Sequence, residues 1–84
     1  MLYYDLKESG ERLKKLRKKL KRENGKKLRQ EDVAEKLGVS VDAYRQVENG
    51  INGASIDTLI LLAELYDTSV DYIVTGRNFV LVEE

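Results

Sequence analysis

Leu6, Leu13, Leu16 and Leu20 recur at helical spacing while Lys and Arg fill the positions between them, which predicts a first helix with one buried stripe. Asp5 or Ser9 can cap its start, each with a glutamate in the turn that follows. Asn24-Gly25 stops it in a left-handed turn after about Arg22. A second helix, Gln30 to Leu37, turns Val33, Ala34 and Leu37 inward. Gly38 follows at once, where a helix stop needs a residue tolerant of positive φ. Ser40 caps a third helix, Val41 to Glu48, with Tyr44 and Val47 on its buried side. Ser55 caps a fourth, "IDTLILLAELY", which is apolar nearly all round and belongs in the core. Ser69 caps a short fifth helix, "VDYIV", closed by Gly76. "LYYDL" at one end and "NFVLVEE" at the other carry strand propensity.

These elements make one domain over residues 1–84 with a helical body at 5–76 and a C-terminal tail or strand at 77–84. The class is all-α, with room for short β segments at the termini. Composition narrows the chemistry. With no cysteine there is no disulfide or thiolate metal site, and with no histidine the commonest general base and metal ligand are missing. We find no paired carboxylates in an evident cleft and no phosphate-cradling glycine loop. The expectation is a non-enzyme with no catalytic residues, no metal, no cofactor and no small-molecule ligand. The longest apolar run, Leu59 to Ala63, is too short to span a bilayer, and "MLYYDLKE" lacks the features of a signal peptide. A cytoplasmic location without membrane contact is expected.

The net charge of zero hides a division along the chain. Residues 1–29 carry twelve Lys or Arg against four Asp or Glu, a balance of +8, and residues 30–84 carry −8. An acidic partner for the first third is implied, set against the plainer alternative of a solvated basic helix face.

Two short helices separated by a glycine-containing turn form a helix-turn-helix pattern. Its packing requirements are specific: a small residue at Ala34 where the helices cross, Gly38 in the turn, and apolar residues at Val33, Leu37, Val39, Tyr44 and Val47. The segments "RLKKLR", "LRQEDVAEKLGVS", "VENG" and "SIDTLILLAELYDTSVDYIVTG", in that order, resemble the Cro/phage-repressor (Xre-like) helix-turn-helix family over Glu11 to Gly76, about four-fifths of the chain. The resemblance implies a five-helix lambda-repressor-like DNA-binding domain. It also implies roles by position. Val41, Asp42, Arg45 and Gln46 would face the major groove. Gln30 would touch a phosphate and buttress a base-reading side chain, and Asn49 would clamp a phosphate after the third helix. Arg17 and Glu48 match a partly buried structural ion pair. Each position also has a plain structural reading, Asn49-Gly50 as a helix end and Gln30 as an ordinary first-turn residue.

The chain departs from the family in three places. Asp42 puts a carboxylate near phosphates unless it accepts from cytosine N4 or pairs with Arg45 at i, i+3. Val41 can only pack on a thymine methyl, which leaves Arg45 for guanine and Gln46 for adenine as base readers. Between Arg17 and Gln30, "KKLKRENGKK" adds residues that either lengthen the first helix or form a basic loop. Arg29 replaces the usual capping residue of the second helix, and with Lys26 and Lys27 it brings positive charge to a helix N-terminus suited to phosphate.

The expected function is sequence-specific double-stranded DNA binding by a transcriptional regulator of the repressor type, acting as a homodimer on a near-palindromic operator. "NFVLVEE" pairing with "LYYDL" is the favoured dimer contact, with a frayed tail as the alternative. The competing class is a protein-interaction module on the same scaffold, an antitoxin or anti-repressor subunit, which Val41, Asp42 and the acidic second half favour.

Overall fold

The computed structural model describes residues 4–77, so the tail at 78–84 and its expected pairing with the first residues lie outside the described part. Five helices follow in order: α1 Leu6–Lys19, α2 Gln30–Leu37, α3 Val41–Glu48, α4 Ile56–Leu65 and α5 Val70–Thr75. Four begin under the side chain of a capping residue. Asp5, Ser40, Ser55 and Ser69 accept from Glu8, Ala43, Thr58 and Tyr72 N–H respectively. Tyr4 and Asp5 therefore lead into a helix, and "LYYDL" makes no strand within the described residues.

The first helix is shorter than its sequence suggests. It ends at Lys19, and Leu20 is already extended, with φ −94° and ψ 151°. The chain then makes a small antiparallel hairpin bridged at Lys21 and Lys27, with the Leu28 N–H reaching the Leu20 carbonyl at 3.4 Å. Gly25, at φ 80°, turns this hairpin and does not stop a helix. Leu28 is buried and Leu20 half-buried against the core, and that burial outweighs the helical propensity of the Lys and Arg residues around them.

The core collects Leu13, Leu28, Val33, Ala34, Tyr44, Leu59, Leu62, Ala63, Tyr66 and Ile73, drawn from all five helices and the hairpin. α3 lies against α1 and α2, α5 against α1 and α4, and α2 touches α4. Two glycines permit this arrangement. Gly38, at φ 72°, makes the turn between α2 and α3. Gly10, inside α1, lets the end of α3 come so close that a Cβ there would stand 2.8 Å from the Val47 carbonyl oxygen. Arg12, two residues further along α1, donates to the Ile73 and Val74 carbonyls at 3.0 and 2.9 Å and so satisfies the end of α5.

α4 corrects a second expectation. Leu59, Leu62 and Ala63 are buried, but Ile56, Ile60 and Leu61 are 62%, 45% and 43% exposed. An all-round apolar helix is usually surrounded, and in this fold α4 meets neighbours on only one side.

Candidate nucleic-acid interface

The outward side of α2 and α3 is organised by a chain of hydrogen bonds that begins in the core. Glu48, on the last turn of α3, has a side chain only 1% exposed. Arg17 from α1 grips it with both arms, Nε to Oε2 at 2.8 Å and Nη2 to Oε1 at 3.0 Å, while its Nη1 donates to the Leu28 carbonyl at 3.1 Å. Burial by itself would raise the Glu48 carboxyl. The Arg17 guanidinium first, then the Tyr44 hydroxyl and the Gln30 amide, outweigh that and hold it below its ordinary value.

Gln30 passes the order outward. Its Nε2 donates to Glu48 Oε1 at 3.0 Å, and its Oε1 accepts from Arg45 Nε at 3.3 Å. Arg45 Nη1 in turn donates to Asp42 Oδ1 at 3.0 Å, the i, i+3 pair that the spacing allows. The exposed guanidinium is thus held from two sides, by α2 and by its own helix. A pre-positioned Arg fork loses less side-chain entropy on meeting a ligand than a free one does.

Apart from half-buried Val41, the other expected positions are exposed. Gln46 is exposed and its side-chain oxygen accepts from Asn52 Nδ2. Its backbone oxygen also accepts from Ile51 N–H at 2.9 Å, so the loop after α3 folds back onto the helix. Val41 is half-buried and packs on the core, offering only part of its surface. Asn49 is the exposed C-cap of α3, its N–H bonded to the Arg45 carbonyl at 2.9 Å. Lys26 and Lys27 are exposed on the hairpin. Arg29 precedes α2, as expected, but it is engaged. Its guanidinium lies 3.3 Å from Asp32 and 3.8 Å from Glu31.

Asp32 also repairs the missing cap. Its Oδ2 accepts from the Arg29 N–H at 2.8 Å, the returning half of a capping box. The hydrogen bonds from Arg29 hold the Asp32 carboxyl below its usual range. Asp32, Asn52 and Gly10 are the contributors that a linear reading of the chain overlooks. Asp at the third position of α2 is a visible signal for the first, whereas "NGING" signals the second only once the path of the loop is known.

Beneath the network, the Tyr44 and Tyr66 hydroxyls meet at 2.7 Å in the core. Burial pushes both phenols up, Tyr66 to about 12. Among the described residues no group of acidic side chains could hold a metal ion, and no helix is long and apolar enough to cross a membrane.

A glycine turn between two short helices, a small residue at their crossing and a buried Arg–Glu tie behind the outer face define a helix-turn-helix domain. The family profile for Helix-turn-helix matches residues 13–73, and the chain belongs to that family in its Cro/Xre-like form. It is 38% identical over 69 residues to YqaE of Bacillus subtilis (strain 168), described as an uncharacterized HTH-type transcriptional regulator, covering 82% of this chain and 54% of that protein. It is 41% identical over 63 residues to YobD of the same organism, described in the same words, covering 75% of this chain and 51% of that protein. The chain spans about half the length of these relatives.

Proposed function

We propose that the protein is a sequence-specific double-stranded DNA-binding transcriptional regulator of the repressor type. α3 enters the major groove, where Arg45 and Gln46 read bases, Val41 packs beside them and Asp42 orients Arg45. Lys26, Lys27, Arg29, Gln30 and Asn49 meet phosphates, positioning the helix without reading sequence. The observation that carries this is the Glu48–Gln30–Arg45–Asp42 chain, which holds a cationic fork outward at a solvent-exposed helix face. The membership in the helix-turn-helix family and the regulator names of the two relatives support the same reading.

One such domain covers too little duplex to be both tight and selective, so it acts as a homodimer on a near-palindromic operator, with half-sites about 34 Å apart. The exposed apolar residues Ile51, Ile56 and Ile60 support self-association through α4. They lie along the loop and helix that follow α3 directly. The protein-interaction alternative loses its strongest motive, because Asp42 is engaged by Arg45 and does not stand alone as an acidic reading group.

The test is selection from random duplex DNA with purified protein at physiological salt. An enriched inverted repeat is expected. Folded protein that enriches nothing would overturn the DNA reading in favour of a protein partner.

A further inference from the structure

The hairpin between α1 and α2 opposes like charges. Lys21 and Lys27 are the bridged pair of an antiparallel ladder, so their side chains leave the same face a few ångströms apart. Side chains alternate along each strand. Leu20 and Leu28, the neighbouring pair, turn toward the core, and Lys21 and Lys27 therefore turn to solvent, where both are exposed. Like charges directly across a ladder destabilise it. Among the described residues neither lysine has an ion-pair partner, although Arg22 of the same hairpin lies 3.8 Å from Asp32.

The backbone that carries this repelling pair is hydrogen-bonded through its turn. Arg22 N–H bonds the Lys26 carbonyl at 2.7 Å, Gly25 N–H bonds the Arg22 carbonyl at 2.9 Å, and Lys26 N–H bonds Asn24 Oδ1 at 3.0 Å. At the base, the Leu28 carbonyl accepts from Arg17, the residue that also grips Glu48. Lys27 is thus fixed three residues before Gln30, beside the N-terminus of α2. Two lysines without ion-pair partners, leaving one face of the hairpin from directly opposed positions, suit one anion shared between them.

We propose that Lys21 and Lys27 form a clamp for a DNA backbone phosphate, extending the protein–DNA contact beyond the helix-turn-helix itself. The inference rests on the DNA-binding reading above, in which Lys27 already meets a phosphate, and adds Lys21 as the second donor to that phosphate. The clamp supplies affinity and salt dependence and no base preference. It also trades against stability, since the anion that relieves the repulsion is absent in the free protein.

The experiment compares wild type with Lys21→Thr, which leaves the Lys27 contact of the DNA reading in place, on the duplex enriched by wild type, threonine being a good strand residue. The salt slope of log Kobs should become shallower by roughly 0.9 for each phosphate that is no longer neutralised. A hydroxyl-radical footprint should weaken at one patch of backbone per half-site, with the preferred bases unchanged. The DNA-free variant should melt at a higher temperature than wild type. Lower affinity with higher thermal stability separates a binding role from a structural one. An unchanged slope and footprint, with wild type binding its duplex, would overturn the clamp alone. Wild type enriching no duplex would instead overturn the DNA reading, and the clamp with it.

Discussion

Arg17 reaches from the last turn of α1 to the last turn of α3 and closes a two-armed hydrogen bond on the Glu48 carboxylate at 2.8 and 3.0 Å. Both charges are nearly out of solvent, the side chains being 12% and 1% exposed. Removing one partner leaves the other as a buried, uncompensated charge, so Arg17→Met should cost about 3–5 kcal/mol. Arg17→Met with Glu48→Leu should cost clearly less than the two single changes together. Urea melts of the four proteins check this, and additive losses would mean that the pair is not coupled.

The same pair sets a pH dependence. The folded Glu48 carboxyl lies below its ordinary value of 4.5. The stability this contributes is fully present above that value and is lost as pH falls through the folded one. Asp32, also held down, adds a slope of the same sign. The melting temperature should therefore fall on acidification below about pH 4.5, and Glu48→Gln should flatten that limb. An equally steep acid limb in the variant would place the proton uptake elsewhere.

Gly10→Ala should destabilise although alanine is the better helix former. The new methyl meets the Val47 and Glu48 backbone at the end of α3, and backbone yields less readily than a side chain. A loss of about 1–3 kcal/mol is expected from overpacking, against a gain near 1 kcal/mol in propensity alone. Chemical denaturation settles the sign.

That glycine also shows where linear reading stops. α2 and α3 are legible to the residue because their signals are local: Gly38 at one end, Ser40 at the other, apolar residues at helical spacing between. The need for glycine at position 10 is created by α3, far along the chain, and nothing in "ESGER" announces it. The end of α1 is obscured for a similar reason. Lysine and arginine continue a helix well, and only the packing of Leu20 beside Leu28 ends it. At the interface, the Asp42–Arg45 pair follows from spacing, and the Arg17–Glu48 and Gln30 positions from the family resemblance. Asn52's hold on Gln46 depends on a loop path that spacing does not encode.

Base preference should divide by residue. Arg45→Ala and Gln46→Ala should each relax preference at one position per half-site, at about 1–3 kcal/mol of discrimination. Gln30→Ala should blur the Arg45 position alone, since its amide bonds that guanidinium while Gln46 is bonded by Asn52. Selection with each variant distinguishes the cases. Binding profiles identical to wild type would mean that the reading face is wrongly placed.

The dimer contact is testable on α4. Ile60, 45% exposed and one turn from Ile56, can accept a charge in the monomer at little cost because its side chain already meets solvent. Across a two-fold axis the same Ile60→Glu change would bury a carboxylate against its own copy, which association cannot tolerate without compensation. Sedimentation should therefore show wild type self-associating, the variant monomeric, and the two alike in thermal stability at dilution. Operator affinity should fall in the variant while the bases preferred in each half-site stay the same. Removing residues after Arg77 offers the contrast: monomer on truncation with dimer kept in Ile60→Glu would move the contact to the C-terminal segment.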